Sequence, residues 1–239
     1  MTSTDRKITA WLFDVYPSPK GLTIWLIDEN GGKHVCFADF LPSFFLHLNP
    51  GDMKRAEILS TKCGIRVSTL RTTKRDLYTN EELRVLQINV HDTMHFKEAV
   101  WFFEKYFPPF AFFDSDILVA QLYLYHTGLF PLAFGEYCVD ENRKLSSFNL
   151  SDKREALEYT IPPLTMLTIR NANNFVSPKY RPFVQLEVVY DNKSYVLEHH
   201  SAAEILESLN RHVRHFDPDI IMSEYGDASI MPTLHRTRL

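Results

Sequence analysis

Asp217, Asp219, Glu224 and Asp227 crowd the segment from Asp217 to Leu234, DPDIIMSEYGDASIMPTL. Carboxylate oxygens this close together are the hard ligands with which proteins hold divalent cations. Plainer roles compete. Asp-Pro-Asp suits a junction that ends a helix and enters a strand, where carboxylates bond loop backbone, and Asp227 in GDAS suits a turn or helix start. The clearest basic cluster, Arg71, Thr72, Thr73, Lys74 and Arg75, could contact phosphates or simply form a solvated face. Arg211, Arg214 and His215 make a smaller one. Ten histidines include the neighbours His199 and His200, and His212 with His215. An i,i+3 pair can share a helix face, but a zinc site needs further ligands and no Cys lies nearby. No glycine-rich phosphate loop, nucleophile elbow or HExxH motif occurs.

The elements that must position these groups follow from periodicity. AWLFDVYP and LTIWLIDE read as strands, and Asn30-Gly31-Gly32 turns the chain into KHVCFADF. SFFLHL is expected to continue this opening sheet. A helix follows in DMKRAEILSTKCG, with Asp52 as its N-cap and Gly64 at its end. IRVSTLRT and RVLQINV are strands, and Asp92 or Thr93 caps the helix FKEAVWFFEKYF, stopped by Pro108-Pro109. DILVAQLYLYHTG forms a further helix from about Asp116 to Gly128. Tyr123 and Tyr125 lie two apart in it, so they cannot share a face, which predicts one core ring and one half-exposed ring. LFPLAFGEYCVDEN is strand and turn, and RKLSSFNLSDKREALEY has no strong period. A domain boundary is therefore placed between residues 140 and 160. Beyond it come strands TMLTIR, FVQLEVVYD and KSYVLE, the helix SAAEILESLNRHVRHF and the strand DIIMS. Ser201 with Glu204 forms a capping box, and Ile205, Leu206, Leu209 and Val213 make the apolar stripe.

A net charge of -4 provides no global attraction to nucleic acid, so any such contact must be local or come from parts outside the chain. Cys36, Cys63 and Cys138 are odd in number and far apart, which fits reduced thiols rather than disulfides or zinc. The start MTSTDRKITAW has no apolar h-region, and no apolar run spans a bilayer; a cytoplasmic protein without membrane contact is expected.

At DPDIIMSEYGDASIMPTL the sequence resembles the second exonuclease motif of family B DNA polymerases, typically DPDIIxGYN followed by FDLPYL. IPPLTMLTIRNAN, from Ile161 to Asn173, resembles the segment that carries the first exonuclease motif, usually DIE. FFDSDILVAQLYLYHTGLFPLAFGEY and WLFDVYP resemble parts of the family's N-terminal region. The resemblance covers nearly the whole chain, strongly from Ile161 onward and weakly before Asp114. It implies an α+β / α/β chain. Residues 1–150 would be a mixed α+β N-terminal domain, and residues 151–239 an incomplete, degenerate exonuclease-like domain of ribonuclease-H-like, DnaQ-like fold. The palm, fingers and thumb of a DNA-directed DNA polymerase, a nucleotidyltransferase, would be its missing partners. Mg²⁺ is expected for that missing polymerase domain and no cofactor for this fragment.

Aligned on MLTIRNA, the resemblance puts the first motif's two carboxylate positions at Arg170 and Ala172. Aligned on DPDII and Pro232, it puts the family's Asn at Tyr225 and its catalytic Asp at Ile230. Two-metal hydrolysis needs oxygen ligands that these residues lack, and a guanidinium at Arg170 would repel Mg²⁺. No catalytic or metal-binding residue is therefore expected, and the exonuclease-like domain is expected to be inactive. A shifted register, with Glu224 and Asp227 as ligands, is the alternative, giving a metal-dependent 3'-5' exonuclease; a stand-alone interaction module is another. Arg71, Lys74 and Arg75 are the candidates for contact with template or primer DNA.

Overall fold

Asn30 and Gly31 reverse the chain between two strands, and one carboxylate fastens the turn. Asp28 accepts the N–H groups of Asn30 at 2.9 Å and Gly32 at 2.8 Å, and its second oxygen lies 2.7 Å from His34 Nε2. Hydrogen bonding to His34, and then to Gly32, holds the Asp28 carboxyl below its ordinary pKa. The computed structural model describes residues 5–156, 158–172, 185–198 and 201–236, with the backbone alone at 202, 227, 229, 233 and 236. The chain folds as two units, Met1–Pro162 and Pro163–Leu239.

The first unit runs β1 (Arg6–Ser18), β2 (Gly21–Asp28), β3 (Lys33–Ala38), β4 (Ser43–Leu46), α1 (Pro50–Ser60), β5 (Val67–Arg75), β6 (Glu82–Val90), α2 (Phe96–Glu104), β7 (Phe112–Phe113), α3 (Val119–Thr127), β8 (Phe134–Val139) and β9 (Leu145–Leu150). Its first sheet has the order β3-β2-β1-β8-β9. Phe37 N donates to Arg143 O at 2.8 Å beside a parallel bridge to Lys144, so the two edge regions meet and the sheet curls towards closure. The second sheet has the order β5-β6-β4-β7.

β4 is a correction, because SFFLHL does not extend the opening sheet. Phe44 pairs with Ile88 and Leu46 with Leu86, and all four are fully buried. The Phe44 ring meets Phe96 and Phe103 of α2 edge-on at 5.9 and 5.8 Å. Burying side chains of this size contributes roughly 1.5–3 kcal/mol each. That core recruits the strand.

The helix ends follow local chemistry. Asn49, not Asp52, caps α1: its side-chain oxygen accepts Asp52 N at 2.9 Å, and Pro50 occupies the first turn, where a missing N–H costs nothing. The helix closes at Thr61 rather than Gly64. Asp92 caps a short 3₁₀ turn that leads into α2. α3 starts at Val119 instead of Asp116 and stops at Gly128, whose φ of 79° is the left-handed cap that glycine adopts freely. Tyr123 is buried and Tyr125 is exposed, as their spacing requires. β9 lacked a period in the sequence because it is an edge strand with only partly covered side chains. The stretch after it stays with the first unit: Trp11 Nε1 donates to Thr160 O at 2.9 Å, and Phe134 N donates to Asp152 at 2.9 Å.

The second unit comprises β10 (Met166–Asn171), β11 (Gln185–Tyr190), β12 (Lys193–Glu198), α4 (Ala202–Phe216), β13 (Ile220–Ser223) and α5 (Met231–Arg236). The sheet order is β12-β11-β10-β13, antiparallel except for the parallel β10–β13 pair. Asp191 and Asn192, both at positive φ, form the tight turn between β11 and β12. Ser201 Oγ accepts Glu204 N at 3.2 Å to start α4. Ile205 and Leu209 then pack with Leu167, Ile169, Leu186, Val188 and Leu197, flanked by Leu206 and Val213. Sheet and helix are mixed throughout, an α+β architecture. Among the described residues, no helix is long and apolar enough to cross a membrane.

Candidate functional site

Arg170 stands near the end of β10, opposite Glu187 of β11. Its Nε lies 2.6 Å from Glu187 Oε2, and Ser194 Oγ donates to the other Glu187 oxygen at 2.5 Å. These hydrogen bonds, that from Arg170 first, hold the Glu187 carboxyl below its ordinary value. The bond to Glu187 and its charge raise the guanidinium in turn, with the charge of Glu224 adding to the effect. A fixed cation and its counter-ion therefore sit where the resemblance puts the first motif's first carboxylate. Ala172 contributes only its backbone, donating N–H to Gln185 O at 3.1 Å.

Tyr225 has a φ of 57° and leads a π-helical turn, Gly226–Ile230, with its ring half exposed. Gly226 is required there, since a Cβ would meet Ser223 Cβ at 2.8 Å. The turn drives Ile230 inward, where it is fully buried among Leu167, Leu186 and Leu209. The four positions thus hold a paired guanidinium, a methyl group, a phenol and buried hydrocarbon. They do not fit a divalent cation that needs several hard oxygens. Among the described residues, no group of three His, Cys, Asp or Glu could hold a metal ion. Glu224 is exposed. The side chain of Asp227, and both His199 and His200, lie outside the described residues.

The Asp-Pro-Asp junction is architectural. Asp217 caps α4 with a φ of 43°, its N–H bonded to Val213 O at 2.9 Å. Asp219 Oδ2 accepts Thr165 N at 2.8 Å and Thr165 Oγ1 at 2.7 Å. It thereby ties the start of β13 to the start of β10. His212 bonds Ser208 O at 2.8 Å within the helix and packs against Tyr195 and Phe216.

The basic run of the first unit does not form one patch. β5 extends through Arg75, and side chains alternate along a strand, so Lys74 faces away from Arg71 and Arg75. Arg71 forms a two-pronged pair with Glu57 of α1, at 2.6 and 2.8 Å, which holds the Glu57 carboxyl below its ordinary value. Lys74 pairs with Asp114 and lies 3.9 Å from the Phe45 ring centroid. Arg75 stands opposite Glu82 in the register and is exposed. Lys74 lines a cleft of about 850 Å³ with Phe45, Gln87, Asn89, Tyr125 and Lys144. Arg71 lines a separate groove of about 820 Å³ with His47 and Arg84.

This path of strands and helices has a counterpart among solved structures. The structure is similar to the family B DNA polymerase from the hyperthermophilic archaeon Pyrobaculum calidifontis, with a TM-score of 0.68 and 16% identity over 95% of this chain and 32% of that one. The fold is shared with a family B DNA polymerase. This chain spans about a third of that polymerase's length. No family model matches the sequence, and no curated protein matches it.

Within this polymerase-like fold, several groups escaped the sequence reading. Glu187, the partner of Arg170, gave no signal, because a strand pairing across separate segments is not written in either one. Phe45, under Lys74, looked like one more apolar strand residue. Arg84 was legible as a cation beginning RVLQINV, but the register alone brings it beside Arg75.

Proposed function

We propose that the chain is the non-catalytic amino-terminal region of a family B DNA polymerase. Its first unit contacts single-stranded template or primer DNA, and its second is an inactive, ribonuclease-H-like exonuclease scaffold. The single observation that carries the inactive scaffold is Ile230, fully buried in the apolar core where the resemblance puts a catalytic carboxylate. Arg170, committed to Glu187, supports it. Metal chemistry in this reading belongs to the palm, fingers and thumb, and Mg²⁺ serves them.

The cleft of the first unit supports the DNA contact. Its volume lies in the range of small-ligand sites. Tyr125 offers a ring face, the amides of Gln87 and Asn89 offer edge-bonding groups, and Lys74 and Lys144, paired with Asp114 and Asp39 of the same lining, offer ammonium groups whose counter-ions a phosphate would have to displace. Gln87 Nε2 donates to Asn89 Oδ1 at 2.6 Å, which fixes the amide orientation. A nucleotide of a single strand needs these three kinds of group.

Fluorescence anisotropy of the chain with a labelled single-stranded oligonucleotide tests the reading. Binding that weakens steeply with salt is expected, because phosphate contacts release counterions. Absence of binding at low salt would remove the DNA-contact role and favour an interaction module instead.

A further inference from the structure

The hairpin joining β5 to β6 holds two large side chains out in water. Leu77 is 95% exposed and Tyr78 is 98% exposed. The tip is nonetheless internally fastened. Asp76 Oδ1 accepts the N–H of Tyr78 at 2.8 Å, the N–H of Thr79 at 2.8 Å and the Thr79 hydroxyl at 3.2 Å. Asp76 N donates to Glu81 O at 2.9 Å, and Asn80 N returns to Asp76 O at 3.0 Å. The bonds from Thr79 and Tyr78 hold the Asp76 carboxyl below its ordinary value. The loop's order owes nothing to packing of Leu77 or Tyr78, so the Tyr78 ring and the Leu77 methyls remain on display.

Cations adjoin the tip on one face. Thr73 pairs with Arg84 and Arg75 with Glu82, so Arg75 and Arg84 are diagonal neighbours on the same side of the hairpin. Such neighbours lie about 7–8 Å apart. Neither guanidinium forms an ion pair among the described residues, although Glu81 and Glu82 are also exposed nearby. An exposed aromatic ring at the tip, with the guanidiniums of Arg75 and Arg84 on the strands that lead to it, is the combination that tracks a single strand, by stacking on bases and attracting phosphates.

We propose that this tip is a base-stacking contact for single-stranded nucleic acid, with Tyr78 against a base and Arg75 and Arg84 towards the flanking phosphates. It rests on the DNA-contact reading above and adds a second contact on the same unit. The test uses the full chain and two labelled strands of equal length, oligodeoxythymidine and an abasic counterpart, with anisotropy as the readout. Tyr78→Ala should weaken binding to the thymidine strand about fivefold or more, the scale of one base–aromatic stack, while Tyr78→Phe retains it. The abasic strand should bind wild type and Tyr78→Ala alike. Because Tyr78 is in solvent, its variants should melt as wild type does by circular dichroism. No binding of wild type to either strand overturns both readings. Binding that is unchanged in Tyr78→Ala leaves the DNA-contact reading standing, overturns the tip contact and assigns the tip to a protein surface. Equal loss on both strands also overturns stacking.

Discussion

Arg170 and Glu187 face each other across β10 and β11, guanidinium Nε to carboxylate Oε2 at 2.6 Å. The positive charge is neutralised in place by the protein itself. Ser194 secures the same carboxylate from β12, so the arrangement joins three strands.

The pair has a pH signature. The folded Glu187 carboxyl is depressed, so its contribution to stability is present above the unfolded value of about 4.3 and is lost as pH falls through the lower folded value. Thermal unfolding followed from pH 7 to pH 3 should show wild type losing more stability below about pH 4 than Glu187→Gln, which has no carboxylate to titrate.

Placing an acid at the buried position of Ile230 should fail. Ile230→Asp would place a carboxylate in a fully buried apolar site, costing roughly 3 kcal/mol or more and unfolding the second unit, whereas Ile230→Val should cost about 0.5–1.5 kcal/mol. Urea denaturation, followed separately for the two variants, measures the difference.

In the first unit, Phe44→Ala should cost about 3–5 kcal/mol, because it empties the centre of the aromatic cluster between β4 and α2. Asn49→Ala should cost about 1 kcal/mol through loss of the α1 cap, while Asp52→Ala should cost less. Chemical denaturation midpoints rank the three.

Committed and uncommitted cations should separate in a salt titration of single-stranded DNA binding. Replacing Arg75 and Arg84 together with alanine should lower the slope of log affinity against log salt by about 0.7 for each lost phosphate contact. Replacing Arg71, already chelated by Glu57, should lower it less. Equal effects from all three arginines would contradict the assignment.

What the sequence made legible was local. The Asn30-Gly31 hairpin, the stop at Gly128 and the stripe from Ile205 to Val213 depend on neighbouring residues, and they formed where expected. Non-local choices were hidden. SFFLHL has the alternation of a strand in any sheet, and only the burial of Phe44 and Leu46 against Ile88 and Leu86 decides which. Asn49 and Asp52 are both good caps three residues apart, and Pro50 settles the choice. Arg71, Lys74 and Arg75 lie close in sequence, but Lys74 projects from the opposite face to the two arginines, because the strand runs on through the polar run. Around Arg170 the residue types were readable, whereas its commitment to Glu187 was not.

In the proposed reading, the second unit carries an exonuclease-like frame without hydrolysis. One reaction tests it most directly: the chain incubated with a 5'-labelled single-stranded oligonucleotide and Mn²⁺, with the strand's length resolved on a denaturing gel over time. A strand of unchanged length is expected. Stepwise shortening that requires the metal and disappears in Glu224→Gln would contradict it and establish relocated ligands.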